Sequence, residues 1–194
     1  MLPVTLSQFQ LSKAHQSLPK LTERSLSLLE DTPVFTTVEK IELLLLFMHK
    51  KWVAEVDIGL RRQAECIEVL DQLQLPWYIE SYDPPHQQRW LQVGANIAVL
   101  EYVKHRRSEL SDLESGILYG FPLTHTLGYV GIIKSRRMRP MNAAQYMLAG
   151  VYSEEFYKEE VEYFDKVWEE LKKCSPKLAL QSKKIFETEF SADG

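Results

Sequence analysis

The sequence predicts a mainly α-helical fold, with six to eight helices in one globular domain and a small β-hairpin near residues 77–93. Three observations lead to this fold class. Apolar residues recur at steps of three and four over most of the chain, as in helices with one buried face. Two S/T-x-x-E sequences mark helix starts. One aromatic-rich segment alternates around a Pro-Pro turn, which is typical of paired strands.

The chain before the hairpin is predicted to be helical. One or two short amphipathic helices occupy residues 5–30. Thr36 and Glu39 form a capping box in front of the apolar run 38–56. Because that run has few polar positions, it predicts a helix at the centre of the core. Residues 60–75 return to helical spacing and precede a proline, which a helix interior does not accept.

Residues 76–94 are predicted to be a hairpin insertion, with strands near 77–82 and 89–93. Its aromatic side chains allow two interpretations. They form a small core beneath the hairpin, which we favour, or an exposed patch that anchors a protein partner, since Trp and Tyr are frequent interface residues. The side chains concerned are Trp77, Tyr78, Tyr82 and Trp90.

The segment after the hairpin is predicted to contain two helix boundaries. Residues 95–110 have helical spacing, and Ser111 with Glu114 forms a second capping box. Gly120 is a typical C-terminal stop, and Pro122 is a typical first-turn residue of the next helix. The sequence therefore predicts a sharp helix–turn–helix corner at these residues.

The C-terminal part is predicted to be helical as well. A shorter helix lies within residues 138–152, and Ser153 is expected to cap a long helix over 154–174 that carries an aromatic face. That helix has acidic residues at its start and lysines at its end, which suits the helix dipole. Pro176 ends it, and a last helix or a tail follows, with residues 188–194 expected to be flexible.

Composition and charge exclude few classes of protein function, but they set expectations about nucleic-acid binding, disulfides and membrane segments. The formal net charge of −4 gives no reason to expect a nucleic-acid-binding protein. Cys66 and Cys174 belong to no CxxC pair, so neither a disulfide framework nor a zinc ribbon is indicated. The longest aliphatic run, residues 43–48, is far shorter than the roughly 20 residues of a membrane span. We therefore expect a soluble, cytoplasmic protein without a membrane segment, and no cofactor is indicated.

The stretch "ESGILYGFPLTHTLGYVG", residues 114–131, is the strongest candidate for a functional site. Each glycine inside a helix costs roughly 0.5–1 kcal/mol relative to alanine, which is tolerated where a backbone or a ligand must approach closely. Close packing of two helices is the favoured interpretation. The alternative is a polar pocket at the corner for an anion or a small polar ligand. Its candidate ligand-binding residues are Tyr119, Gly120, Thr124, His125 and Tyr129.

The residues "GILYGFP" resemble a Gly-x-Leu-x-Gly-[Tyr/Phe]-Pro signature of small uncharacterised prokaryotic proteins. The resemblance covers one helix pair and implies no activity. The family signature continues with small residues and an aromatic residue, whereas this chain continues with "LTHTLGY" and so places Thr124 and His125 there.

Two basic runs are candidates for binding an anion or a nucleic acid. Residues 101–140 carry seven Lys and Arg against four Asp and Glu, so the middle of the chain is mildly basic. Solvated helix ends are the leading explanation, because the helix dipole favours cations at C-termini. A phosphate- or RNA-binding face requires that folding brings the two runs together. The residues are Lys104, Arg106, Arg107, Lys134, Arg136, Arg137 and Arg139.

Catalytic signatures are weak throughout. Glu101 and His105 stand four residues apart, a spacing that permits a shared metal but that is more often structural. The sequence contains no G-x-S-x-G, no H-E-x-x-H and no phosphate-binding loop. We therefore predict a non-enzymatic binding or regulatory protein that acts through protein contacts, with a homodimer as one form. The first alternative is a protein or enzyme that binds a small anion at the Gly120-Phe121-Pro122 corner, and the second is RNA or DNA binding.

Overall fold

The computed structural model describes residues 20–59, 62–83, 88–106, 109–148 and 151–190. Within these residues the chain forms nine helices and two small antiparallel sheets, so the mainly α fold with a small β part is confirmed. The helix count exceeds the predicted six to eight because several helices are only six or seven residues long. The helices are α1 Glu23–Asp31, α2 Thr37–Phe47, α3 Gln63–Gln72, α4 Ile97–Arg106, α5 Asp112–Leu118, α6 Leu123–Tyr129, α7 Ala143–Leu148, α8 Tyr157–Cys174 and α9 Pro176–Phe190. The strands are β1 Val53–Gly59, β2 Trp77–Asp83, β3 Gln88–Gly94, β4 Ser135–Arg137 and β5 Val151–Ser153.

The predicted hairpin is confirmed as β2 and β3, but it is part of a larger sheet. The strand order is β1-β3-β2, with every neighbour antiparallel, so β3 is central and β1 lies at one edge. The prediction of a helix through residues 38–56 is wrong in its second half, because α2 ends at Phe47 and His49 has a φ of 58°. In β1, buried Val56 and Ile58 alternate with exposed Glu55 and Asp57, which is the period of a strand.

Both predicted capping boxes are confirmed. Thr36 Oγ1 accepts from the N–H of Glu39 at 3.3 Å, and Glu39 Oε2 accepts from the N–H of Thr36 at 2.6 Å. Ser111 and Glu114 make the equivalent pair at 3.2 and 3.1 Å. Each box satisfies two N–H groups that a helix leaves unpaired at its start, and so fixes where α2 and α5 begin.

The core has one main cluster and one smaller cluster. Helix α2 is central to the main cluster, as predicted, since its residues from Leu43 to Phe47 are all buried. The inner face of the sheet, α3, α8 and α9 pack around it. The smaller cluster joins β1 to α4 and α5 on the opposite face of the sheet. It consists of Val53, Val99, Val103 and Leu118.

The predicted corner between two closely packed helices is confirmed. Helix α5 ends at Leu118, Gly120 has a φ of +82°, and α6 begins at Leu123. A Cβ placed on Gly116 would lie 2.4 Å from Cγ2 of Thr126. The absence of a side chain at Gly116 is therefore what allows α5 and α6 to pack at this distance.

Two boundaries in the C-terminal part differ from the prediction. Ser153 does not cap a helix at residue 154, because it lies in β5 opposite Ser135 and α8 begins only at Tyr157. Its Oγ nevertheless accepts from the N–H of Phe156 at 3.0 Å. Helix α9 continues to Phe190, beyond the point where a tail was expected. Residues 191–194, like residues 1–19 with their predicted helix, lie outside the described residues.

Candidate functional site

The corner between α5 and α6 borders a cavity of about 590 Å³, here called the corner cavity. Helices α5 and α6 form one side, and the segment from β4 to β5 forms the other. Its size lies within the range of roughly 300–1,000 Å³ that is usual for small-molecule sites. The lining residues are Asp112, Ser115, Gly116, Tyr119, Phe121, His125, Thr126, Tyr129, Arg137, Met138, Pro140, Gln145, Val151 and Tyr152.

Three of the five residues proposed for this site line the corner cavity, namely Tyr119, His125 and Tyr129. His125 and Tyr129 share a helix face because they stand four residues apart. Gly120 instead lines a smaller neighbouring cavity of about 190 Å³. Thr124 is absent from the cavity lining, and Thr126 lies there instead, between His125 and the bare backbone of Gly116. The two threonines are two positions apart on a helix of 3.6 residues per turn, so they lie on different faces of α6.

His125 is deeply buried within an aromatic cluster. It is only 4% exposed and stacks on Phe121, with ring centroids 4.8 Å apart and planes within 9°. Tyr152 and Phe164 contact it edge-on at 5.9 and 5.5 Å. Its Nδ1 lies 3.7 Å from Oε2 of Glu160, too far for a hydrogen bond. Nδ1 is thus buried without a hydrogen-bond partner among the described residues, on a ring that lines the cavity.

Glu160 is a buried carboxylate held by one residue. Its Oε2 accepts from the N–H of Ser153 at 3.0 Å, and its Oε1 accepts from Ser153 Oγ at 2.8 Å. Glu160 is 1% exposed and Ser153 is fully buried. A buried carboxylate costs much free energy unless it is hydrogen-bonded, so these two bonds explain how the charge is accommodated. They also fix the carboxylate beside His125.

Burial lowers the pKa of His125 below its usual value, and the nearby Glu160 carboxylate opposes part of that change. The imidazole is therefore neutral at pH 7. Burial also raises the pKa of Tyr152, so its phenol stays protonated. The floor of the cavity thus combines aromatic surface with a neutral imidazole that can accept or donate one hydrogen bond.

Arg137 is the positive charge of the corner cavity. It lies in β4, is exposed, and lines the cavity beside Met138 and Pro140. Among the described residues no carboxylate lies within salt-bridge distance of its guanidinium. An arginine without an ion pair at the rim of an apolar cavity is suited to a carboxylate or phosphate, which it binds with two parallel hydrogen bonds.

None of the other predicted basic residues that the structure describes joins Arg137 in the cavity lining. Arg106 donates to Tyr102 OH at 2.9 Å and lies 3.7 Å from Oε1 of Glu114, so it is part of a structural network. Lys104 lies over the Tyr78 ring at 5.8 Å. The remaining described members are exposed, and Arg107 lies outside the described residues. Those exposed members are Lys134, Arg136 and Arg139.

The hairpin and the aromatic face of α8 are the two apolar surfaces on which protein contacts are expected, and both contribute side chains to the interior of the fold. Trp77 packs against the main core, and its Nε1 donates to Asp71 at 2.9 Å. On α8, Phe164, Val167 and Leu171 are buried. Ile79, at 41% exposed, is the large apolar side chain that the described part of the hairpin presents to solvent. The protein-contact function stays a prediction.

Metal binding and thiol catalysis have no assembled site among the residues that the structure describes. Nε2 of His105 lies 3.0 Å from Glu101, but both side chains are largely exposed. Across the described ranges, no group of three or more His, Cys, Asp or Glu residues is arranged to hold a metal ion. Burial raises the pKa of the Cys66 thiol to about 11, so it is not an activated nucleophile. None of the described helices is both long enough and apolar enough to cross a bilayer.

Glu160 beside His125, and Ser153 as the residue that holds Glu160, were not predicted from the sequence, which placed Arg137 only in a basic run. One feature of the sequence indicated that Glu160 is unusual, because it interrupts the apolar face of α8 one turn before Phe164. A polar residue on a buried face requires a partner. The identity of that partner depends on the pairing of β4 with β5, which has no local sequence signature.

Comparison with known proteins finds no matching family model, no matching curated protein and no matching solved structure. The resemblance of residues 116–122 to the Gly-x-Leu-x-Gly-[Tyr/Phe]-Pro signature therefore rests on those residues alone.

Proposed function

We propose that this protein binds a small ligand with an apolar, preferably aromatic, body and one anionic group in the corner cavity. The single observation that carries the proposal is the combination of a 590 Å³ cavity with aromatic walls and an arginine in its lining, Arg137, that pairs with no carboxylate in the described part of the chain. The cavity holds a ligand of moderate size, and its aromatic walls provide most of the contact area.

The anionic group is assigned to Arg137, because a guanidinium pairs with a carboxylate in a charge-assisted and bidentate manner. The ligand body packs against Tyr129, Met138 and Tyr152. The His125 imidazole supplies one further hydrogen bond at the floor of the cavity. This division of roles matches known small-molecule sites, where apolar walls give affinity and a few polar groups give orientation.

The test compares 3-phenylpropionate with its uncharged amide, 3-phenylpropionamide, by ligand-detected NMR and titration of the labelled protein. The carboxylate is expected to bind about tenfold more tightly than the amide, the usual value of one hydrogen bond to a charged group. Its shift changes are expected at the amides of His125 and Tyr152.

The control variant comes from the same strand. Arg137→Gln is expected to reduce binding of the carboxylate to the level of the amide, whereas Arg136→Gln is expected to leave it unchanged. Residues 136 and 137 project to opposite faces of β4, and Arg136 does not line the cavity. Equal binding of acid and amide, equal effects of the two variants, or no binding of either probe contradicts the proposal.

A further inference from the structure

A second pocket of about 300 Å³ lies between the outer face of the sheet and α5, and we call it the sheet pocket. It shares Asp112, Ser115 and Tyr119 with the corner cavity. Its other walls come from β1, β3, α4 and the end of α5, and from the segment before α5. Those wall residues are Val53, Glu55, Gln92, Val103, Leu110 and Leu118.

The strand register explains why polar groups meet in the sheet pocket. Glu55 of β1 lies directly opposite Gln92 of β3. Their neighbours Ala54 and Val56 are buried in the main core, so Glu55 and Gln92 project from the other face of the sheet. Helices α4 and α5 pack on that face at Val53. The pocket begins next to this contact, at Glu55 and Gln92.

In the sheet pocket, the hydrogen-bond acceptors of the described residues outnumber the donors. Gln92 Nε2 donates to Glu55 Oε1 at 2.7 Å and to Tyr119 OH at 2.9 Å. Tyr119 OH donates to the same Glu55 oxygen at 2.5 Å. No described residue donates to Gln92 Oε1, although Gln92 is 1% exposed and nearly all buried polar atoms in proteins have a partner. An amide oxygen can only accept, so a group that binds Gln92 Oε1 must be a donor.

The charge of the sheet pocket points to a cationic donor. Glu55 and Asp112 both line it, and in the described part of the chain no Lys, Arg or His lies within salt-bridge distance of either carboxylate. Two described basic side chains on or next to the neighbouring elements are engaged elsewhere. Arg106 lies beside Glu114, and Lys51 pairs with Glu42.

We propose that the sheet pocket binds an organic ammonium group on a short aliphatic stem. The ammonium has three N–H donors and matches the three acceptors, which are Gln92 Oε1 and the carboxylates of Glu55 and Asp112. Val53, Val103 and Leu118 provide an apolar wall for the stem. The volume is at the lower end of the range for small-molecule sites, which limits the ligand to an alkylamine or to a lysine side chain of a peptide.

The test measures binding of n-butylammonium and of uncharged 1-butanol to the full chain, by calorimetry and by shift changes of the Gln92 side-chain amide. We expect n-butylammonium to bind at least about tenfold more tightly than 1-butanol, as is typical of charge-assisted hydrogen bonds. Glu55→Gln is expected to abolish that preference, while its new amide oxygen still accepts from Gln92.

The matched control is Asp57→Asn. Asp57 lies two residues along β1 on the same face and is exposed, but it does not line the pocket. It is expected to leave the affinity within about twofold of the wild type. If Glu55→Gln fails to fold, Asp112→Asn at the exposed start of α5 provides the test and is expected to reduce binding at least threefold.

Three results overturn the proposal: equal binding of n-butylammonium and 1-butanol, equal effects of Glu55→Gln and Asp57→Asn, or tighter binding of Ca²⁺ than of n-butylammonium. A parallel titration with N-acetyl-lysine methylamide distinguishes a peptide side chain from a free amine by which of the two binds more tightly. Arg137 does not line the sheet pocket, so Arg137→Gln is expected to leave ammonium binding unchanged while it removes the acid preference of the corner cavity.

Discussion

Nδ1 of His125 lies 3.7 Å from Oε2 of Glu160, and neither side chain is more than 5% exposed. The pair joins α6 to α8 beneath the corner cavity. Because burial lowers the pKa of His125, the imidazole takes up a proton less readily in the folded chain than in the unfolded chain, where the usual value is about 6.5.

This relationship predicts a loss of stability in acid. As the pH falls below about 6.5, the unfolded chain binds a proton at His125 before the folded chain does, so the free energy of unfolding decreases. The slope from this one group is at most about 1.4 kcal/mol per pH unit. Chemical denaturation between pH 5 and 8 measures it.

The control for the acid effect is a pair of histidine variants. His125→Phe retains an aromatic ring against Phe121 but cannot titrate, so its unfolding free energy is expected to fall less steeply between pH 6.5 and 5. His105→Gln, which changes an exposed histidine on α4, is the variant with which the slope of His125→Phe is compared. An unchanged slope in His125→Phe would show that other groups dominate.

The hydroxyl of Ser153 is predicted to be important for stability. It donates to Glu160 at 2.8 Å, accepts from the N–H of Phe156 at 3.0 Å, and is fully buried. Ser153→Ala leaves both partners with an unmet hydrogen bond and is expected to cost about 1–3 kcal/mol, measured by urea denaturation. Ser27→Ala, at an exposed position of α1, is expected to change stability by no more than about 0.5 kcal/mol.

A methyl group at Gly116 is predicted to separate α5 from α6. In an unhindered helix Gly→Ala is stabilising, but here the new Cβ would lie 2.4–2.5 Å from the Thr126 side chain. Gly116→Ala is therefore expected to cost about 1–3 kcal/mol in thermal or urea unfolding. In a Thr126→Ala background the same change is expected to cost less than half as much. Additive effects would mean that the two residues are not coupled.

Two glycines with left-handed backbone allow the cost of backbone strain to be distinguished from the cost of steric crowding. Gly120 has a φ of +82° and Gly131 a φ of +77°. A Cβ on Gly120 would lie 2.0 Å from the Lys50 carbonyl oxygen, whereas none of the described atoms lies within 4 Å of the corresponding point at Gly131. We expect Gly131→Ala to cost about 1–2 kcal/mol and Gly120→Ala at least about 3 kcal/mol. Similar losses in the two unfolding curves would indicate that backbone strain alone acts at Gly120.

The sequence predicted those parts of the fold that depend on near neighbours. The capping boxes of Thr36 and Ser111 require only a partner three residues away. The stop at Gly120 depends on its own φ, and the hairpin over β2 and β3 depends on a short turn. The face shared by His125 and Tyr129 follows from the helical repeat.

Strand β1 shows why the prediction failed elsewhere. The chain continues from α2 to Val53 without a proline or glycine, so the prediction from periodicity alone made the helix too long. The alternation of Val56 and Ile58 with Glu55 and Asp57 was a signal for a strand, but a short one. Pairing with β3, about 35 residues later, decides the structure there.

By itself the sequence determined the helix starts, the corner and the buried apolar faces, because these depend on local dihedral preferences and on the spacing of side chains. Tertiary structure alone decided which polar groups meet. Ser153 donates to Glu160 beside His125, and Gln92 lies opposite Glu55. Arg137 lines the corner cavity. These arrangements depend on strand pairing and on elements that are distant in sequence. The physical reason is that hydrogen bonds and charges act over a few ångströms in space, whatever the separation along the chain.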